Sequence, residues 1–356
     1  MKSYKNLWDK FISDENYYLA VKNATKHKCS KKSKCRRAKY IKEHADELKD
    51  YFINYACNFK NAKHEPKDIY DGIRKKKRSI FVPTMDEQVI HHMIVNILKP
   101  IFLKGMYEHS YGSIPDRGPH LAKKRMEKWI RQDEFDYVLK MDIRKYFESI
   151  PHYILKAKLK RIIKDKKFYN ILCTVIDSTD KGIPIGFYTS QWFANWYLTE
   201  LDHYIKEDLH VKRYVRYMDD IVIWGHDKKT LHTIKKNIES YLKCDLGLEL
   251  KHNWQIFNIN YRAIDFMGFK FYKNRTTLRK TIFLKVCRKA RNINKKGINI
   301  HSCRQMLSYI GWLNSSDTYN AYKEWIKTMI TFQKLKRYES FWTKKYIGGI
   351  MYGLDR

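Results

Sequence analysis

Tyr214-Val215-Arg216-Tyr217-Met218-Asp219-Asp220-Ile221-Val222-Ile223-Trp224-Gly225 is the stretch on which the reading of the chain turns. β-Branched and aromatic residues flank two adjacent aspartates, a pattern of strand, tight turn and strand. Side-by-side carboxylates repel each other and lose hydration if enclosed, which is costly unless a cation sits between them. Taken alone, such a pair is a solvated turn. Upstream, however, Lys140-Met141-Asp142-Ile143-Arg144-Lys145-Tyr146-Phe147 forms a second strand-like stretch with an aspartate of its own. A third carboxylate arriving from there completes a ligand set for paired Mg²⁺ ions in phosphoryl transfer.

Composition narrows the setting. The chain of 356 residues is long enough for two or three domains sharing a continuous core. Its 72 Lys+Arg against 38 Asp+Glu give a net charge of +34, which points to a polyanionic partner rather than a small metabolite. The 27 Tyr, 17 Phe and 9 Trp include candidates for stacking on bases, although most serve core and strands. No apolar run approaches the roughly 18 residues of a membrane span, and the first residues lack a signal-peptide core. Seven scattered cysteines suit a reducing cytosol. His27, Cys29 and Cys35 lie close together, but their spacing matches no common zinc site and reads as a basic solvated loop.

Tyr217-Met218-Asp219-Asp220, together with the stretch around Asp142, resembles the palm of reverse transcriptases. The resemblance implies an α+β right-hand polymerase with fingers, an antiparallel palm sheet and a helical thumb, and it covers residues 6–338. The expected divisions are a basic arm and fingers over 1–138, a palm over 139–275 with a helical insertion at 151–180, and a basic helical thumb over 276–356. It implies RNA-templated DNA synthesis with two Mg²⁺ ions, or Mn²⁺ in their place, held by Asp142, Asp219, Asp220 and the Ile143 carbonyl.

Along the chain, Leu7, Trp8, Phe11 and Ile12 mark a short amphipathic helix. Residues 21–40 hold nine Lys/Arg and no acid, including Lys31, Lys32, Lys34, Arg36 and Arg37, and read as an RNA-contacting arm. A helix follows at 45–58. Gly72-Ile73-Arg74-Lys75-Lys76-Lys77-Arg78-Ser79-Ile80-Phe81-Val82-Pro83 runs a cation cluster into a strand, and resembles the fingers hairpin that closes over a triphosphate. Arg78 and Lys77 are the expected phosphate contacts, with the planar fork of arginine the better fit; which of Lys75 to Lys77 joins Arg78 is open. A helix over 88–103 is expected to break or end near Pro100. Arg117 and His120 either position template backbone or hold their own loop.

Phe147 occupies the family position beneath the nucleotide sugar, where a ring excludes a 2′-OH. Helical residues 151–179 lead to Gly182-Ile183-Pro184-Ile185-Gly186-Phe187-Tyr188-Thr189-Ser190-Gln191 and an apolar helix at 192–201. Glycines at a helix entrance let backbone approach a nucleotide, which makes Gly186 and Gln191 nucleotide-binding candidates with Ile185. Residues 231–242 read as an amphipathic helix and 246–251 as a strand edge, with Lys251 placed to protonate the leaving pyrophosphate or simply at the surface. Phe266-Met267-Gly268-Phe269 resembles a primer-grip hairpin. Residues 266–300 carry eleven Lys/Arg and no acid, and helical spacing returns at 306–313 and 319–332.

Ile185 departs from common reverse transcriptases, which have Gln there. Ile185-Gly186-x-x-x-Ser190-Gln191 and Tyr309-Ile310-Gly311-Trp312-Leu313 resemble the reverse transcriptases of diversity-generating retroelements, which copy a template RNA with errors opposite adenine. An aliphatic side chain cannot hydrogen-bond the nucleotide or primer end, so geometry is checked less strictly. That subgroup implies as partners the template RNA, the RNA/cDNA duplex, deoxynucleoside triphosphates and a small basic helical accessory protein, with no membrane, in the cytoplasm of a bacterium or phage-infected cell. The rival readings are a retron or phage-defence reverse transcriptase and a non-catalytic RNA-binding scaffold with a palm fold. A group II intron enzyme is weaker, because no stretch after residue 338 reads as a maturase segment.

Overall fold

The computed structural model describes residues 3–26, 28, 35–60, 64–71 and 76–351. Helices and three small sheets alternate along the chain, an α+β arrangement. β1 (Lys67–Asp71) and β2 (Lys76–Ile80) form an antiparallel hairpin. β3 (Tyr137–Asp142), β4 (Tyr214–Tyr217), β5 (Asp220–Gly225) and β6 (Gln255–Asn258) form a four-stranded sheet in the order β4-β5-β3-β6. β7 (Ile264–Phe266), β8 (Phe269–Phe271) and β9 (Thr276–Leu278) make an antiparallel meander. Two compact units result, one of residues 1–118 with 138–256, the other of 119–137 with 257–356.

In the first unit the long helix Met85–Leu103 is the central pillar. It opens with a capping box in which the Thr84 hydroxyl accepts from Glu87 N and the Glu87 carboxylate accepts from Thr84 N at 2.8 Å. Val89, Ile90, Met93, Ile94, Leu98 and Phe102 are buried along it, against helices Asp14–Thr25 and Tyr188–Tyr197. The expected break at Pro100 does not occur, and the helix continues to Leu103. Beyond the proline, Phe102 is fully buried and stacks on Trp196 with ring centroids 4.7 Å apart, and that burial outweighs the lost backbone hydrogen bond.

The expected strand edge at 246–251 is also corrected. Gly247 takes a left-handed backbone (φ 60°), which interrupts an extended run, and only a bridge between Ile143 and Leu250 remains. The helix Lys228–Cys244 before it is as the spacing implies. In the second unit, Met267 and Gly268 both take left-handed backbone (φ 49° and 86°), a two-residue turn that suits the right-handed twist of β7 and β8. The Phe269 ring packs 5.2 Å from Trp312, and the basic helix Lys280–Lys296 buries Val286, Cys287, Ala290 and Ile293 on its inner face. Lys31, Lys32, Lys34 and Lys75, with His27 and Cys29 of the basic loop, lie outside the described residues.

Candidate active site

β4 and β5 are joined by a two-residue turn, Met218-Asp219, with Tyr217 paired to Asp220. Met218 has a left-handed backbone (φ 55°), which for a non-glycine residue costs roughly 1–3 kcal/mol and persists only where neighbours hold it. Asp219 projects from this turn, while Asp220 begins β5. Alternation along β3 buries Leu139 and Met141 and leaves Lys140 and Asp142 half-exposed on the other face. The end of β3 is tied to the turn by Ile143 N donating to Asp219 O at 3.2 Å. It is tied on its other side by Lys251 N donating to Asp142 O at 2.8 Å.

These bonds bring Asp142 and Asp219 side by side. Burial, and then the neighbouring Asp142 carboxylate, push the Asp219 carboxyl up to about 7. Lys251 Nζ pairs with Asp142 Oδ1 and offsets part of the repulsion. Asp220 turns aside, with its Oδ1 3.7 Å from Lys140 Nζ. Among the described residues no group of three His, Cys, Asp or Glu side chains stands ready-made as a metal site. Paired hard oxygens that repel each other suit a divalent cation such as Mg²⁺ or Mn²⁺, which would sit between Asp142 and Asp219. Ile143 is buried next to them.

The segment 182–187 forms a second wall. Ile183 N donates to Phe147 O at 2.8 Å, and Phe81 N, just after β2, donates to Ile185 O at 2.7 Å. Gly182 (φ 69°) lies against the backbone of Glu148, and Gly186 (φ 117°) lies so close to Phe81 that a Cβ would stand 2.1 Å from its carbonyl oxygen. Half-buried Ile185 faces a cleft of about 890 Å³ shared with Ser79, Phe81, Glu148, Thr179 and Lys181. Phe147 is half-buried, whereas its neighbour Tyr146 is buried and donates to Ala194 O at 2.5 Å. Gln191 is exposed on the helix Tyr188–Tyr197. Lys77 and Arg78 are exposed on β2, with Lys77 Nζ 2.8 Å from Asp68 Oδ2 and Arg78 paired in register with Ile69. Strand alternation sets Arg78 on the opposite face from Ser79 and Phe81. Arg117 Nη1 donates to Tyr107 O at 3.0 Å, so it holds its own loop, and His120 is exposed.

Behind the wall, His91 is fully buried, 4.7 Å from the Phe187 ring and 3.1 Å from Thr189 Oγ1. Burial pushes its pKa down to about 3, so it is a neutral support. His91 went unread in the sequence, as did Asp202 and Asn195 around the turn, while Arg216 and Gly112 were seen only as members of their stretches. The available signal was one arginine within the apolar run of β4.

Phe147 is half-buried, with its ring edge-on to Tyr146 at 5.7 Å between centroids. If the ring stands beneath a nucleotide sugar, as the resemblance implies, Phe147→Ala is expected to raise ribonucleotide over deoxynucleotide incorporation by roughly tenfold or more, since excluding one small group is worth that much. Competition of the two nucleotides on one template measures it, and an unchanged ratio would make the ring a packing element only.

The sequence pattern of the family described as reverse transcriptase (RNA-dependent DNA polymerase) matches residues 62–271. The retron Ec73 reverse transcriptase of Escherichia coli is 26% identical over 211 residues, 55% of this chain and 64% of its own length. Protein YkfC of Escherichia coli strain K12 is 23% identical over 37% of this chain and 38% of its own length. The group II intron-encoded protein LtrA of Lactococcus lactis is 28% identical over 37% of this chain and 23% of its own length. The chain thus spans less than two-thirds of the curated relatives it matches. Among solved structures, apo telomerase from Candida tropicalis, truncated from its C-terminal domain, aligns with a TM-score of 0.47 and 14% identity over 67% of this chain and 60% of that one. Telomerase from Candida albicans aligns at 0.46 and 13%, over 90% and 69%. The family match extends over more than half of the sequence and takes in both aspartate stretches and the 182–187 wall: this chain belongs to the reverse transcriptase family.

Proposed function

We propose that the protein is an RNA-directed DNA polymerase, and that the convergence of Asp142 and Asp219 at the end of β3 and the β4–β5 turn is its catalytic centre. The primer 3′-oxygen attacks the α-phosphorus of a deoxynucleoside triphosphate. A new P–O bond forms, the bond to the β-phosphate oxygen breaks, and pyrophosphate leaves. Divalent cations, when bound, supply Lewis acidity that lowers the pKa of the 3′-hydroxyl and offsets charge on the departing pyrophosphate. Asp142 and Asp219 would hold them, Lys251, paired with Asp142, would offset charge on the leaving group, and Phe147 and Ile185 would line the nucleotide. Primer extension on an RNA template with Mg²⁺ and all four deoxynucleotides tests the reading. Absence of any extension by folded protein would leave the RNA-binding scaffold in its place.

Within that activity, Ile185 supports the error-prone reading of a diversity-generating retroelement, acting in the cytoplasm with a template RNA and a small basic helical partner. Its side chain offers only dispersion contacts to the cleft, where one polar contact is worth about 1.4 kcal/mol, or tenfold in discrimination. Ile185→Gln is expected to lower misincorporation opposite template adenine by about tenfold. Stability should change by less than about 1 kcal/mol, because a half-buried Gln reaches the cleft rather than dry core. Deep sequencing of cDNA from both proteins on one adenine-rich RNA decides. A low, even error profile in the wild type would favour the retron-type reading, which the match to the retron Ec73 enzyme supports.

A further inference from the structure

Beneath the Met218-Asp219 turn lies a buried charge that the chemistry above does not use. Arg216 is wholly buried in β4, next to Tyr214 and Val215. Its Nε donates to Asp202 Oδ1 at 2.7 Å and its Nη2 to Asp202 Oδ2 at 2.5 Å. Asp202 is itself fully buried, and the Tyr214 hydroxyl donates to its Oδ1 at 2.7 Å. The remaining arm of the guanidinium reaches the turn, where Nη1 donates to Met218 O at 3.0 Å.

A buried ion pair is weak evidence for a stabilising role, since apolar residues of similar volume do as well or better. An apolar pair cannot, however, donate a hydrogen bond to the Met218 carbonyl. That carbonyl and the Asp219 N–H belong to one rigid peptide plane, so a donor fixed on one sets the direction in which Asp219 leaves the turn. Gly112 also lies against the turn, where a Cβ would stand 2.6 Å from Met218 N. Asn195 Nδ2 donates to Gly112 O at 2.5 Å and keeps it there. Met218, in its left-handed conformation, is therefore held at its carbonyl by Arg216 and crowded at its N–H by Gly112.

We propose that Arg216, locked by Asp202, is a positioning residue that aims Asp219 at Asp142, and that Gly112 is the stop against which it does so. The proposal rests on the reading of Asp142 and Asp219 as the catalytic pair. Its test separates fold from aim. Arg216→Met alone leaves the Asp202 charge buried without its counter-ion and is expected to unfold readily, whereas Asp202→Leu/Arg216→Met restores an apolar pair and most of the lost thermal stability, the remainder going with the acceptor of the Tyr214 hydroxyl. In that double variant kcat should still fall about 100-fold, the effect of a displacement near 1 Å, while the deoxynucleotide KM moves by less than about threefold. Gly112→Ala keeps the ion pair but pushes on the turn at Met218, and a similar fall in kcat is expected.

Mn²⁺ binding, followed by electron paramagnetic resonance on the free protein, is a second readout that needs no primer extension. Affinity should drop by about fivefold or more in both variants, equal to about 1 kcal/mol. A folded double variant, or Gly112→Ala, with both kcat and Mn²⁺ affinity within about threefold of wild type would overturn the proposal. If the double variant does not fold, Gly112→Ala decides alone. A wild type that binds Mn²⁺ yet extends no primer would sink the polymerase reading, and the Mn²⁺ comparison would still judge the strut.

Discussion

Asp219→Asn should abolish primer extension, with a loss of about 10³-fold, because a catalytic cation and its ligands supply several kcal/mol of transition-state stabilisation. RNA binding should survive: the substitution removes one negative charge from a chain of net charge +34, which favours phosphate. The same variant has a second signature in metal-free buffer. The folded Asp219 carboxyl titrates near 7, above the value of about 3.9 in an unfolded chain. Between those two values the folded protein holds a proton that the unfolded chain has released, so this group's contribution to stability falls as pH rises through the window. Asn carries no such penalty. Asp219→Asn should therefore melt at a higher temperature than wild type at pH 8, with the gap closing towards pH 4. More than a few per cent of wild-type extension, with RNA binding intact, would remove Asp219 from the catalytic pair. An equal gap at both pH values would remove the repulsion argument.

Gly186→Ala should be almost as damaging, by another route. The φ of 117° is open to glycine and strained for alanine, and the added methyl would lie 2.1 Å from Phe81 O, a backbone atom with little freedom to move. Relief requires the 182–187 wall and the exit of β2 to part, which sacrifices the bond from Phe81 N to Ile185 O. Strain and the lost hydrogen bond together amount to roughly 2–4 kcal/mol. For a unit of this size that lowers Tm by roughly 5–15 °C. Because Ile185 moves with the wall, the deoxynucleotide KM should rise as well. Gly311 has no atom within 4 Å of where its Cβ would stand, so Gly311→Ala is the control that should leave Tm unchanged or slightly raised. An unaltered Tm in Gly186→Ala would mean that the two segments are not in register as described.

What could be read from the sequence had a short-range cause. The β4–β5 hairpin is written in alternating apolar residues around a two-residue turn, and Asp142 is marked by its place at the end of a buried strand. The α+β class came with the family resemblance that these two stretches carry. Where the reading failed, a distant partner or a backbone sign decided the matter. Pro100 looks like a helix end until Trp196 supplies the stacking that carries the helix past it. The stretch 246–251 alternates like a strand, but Gly247 turns it. Asp219 and Asp220 are equivalent as letters, and only the turn geometry sends one towards Asp142 and the other towards Lys140. Arg216 shows as a lone cation in an apolar run, while its partner Asp202 stands 14 positions earlier on a helix, outside any local window.

The division into two units has a consequence for how the chain is made. Sequence passes from one unit to the other at 118–119, returns at 137–138 and leaves again at 256–257, so neither unit is a continuous segment. The helix Met85–Leu103 leaves the ribosome long before the helix Tyr188–Tyr197 that covers it. At 5–20 residues per second, the roughly 140 residues between the first crossing and the last take about 7–28 s to synthesise. For much of that interval, until residue 197 is made, the nascent chain carries an apolar pillar covered chiefly by the helix Asp14–Thr25, and a surplus of positive charge, in a crowd of ribosomal and messenger RNA. Expression yield should thus respond to translation speed and to chaperones more steeply than that of a protein whose domains are contiguous in sequence.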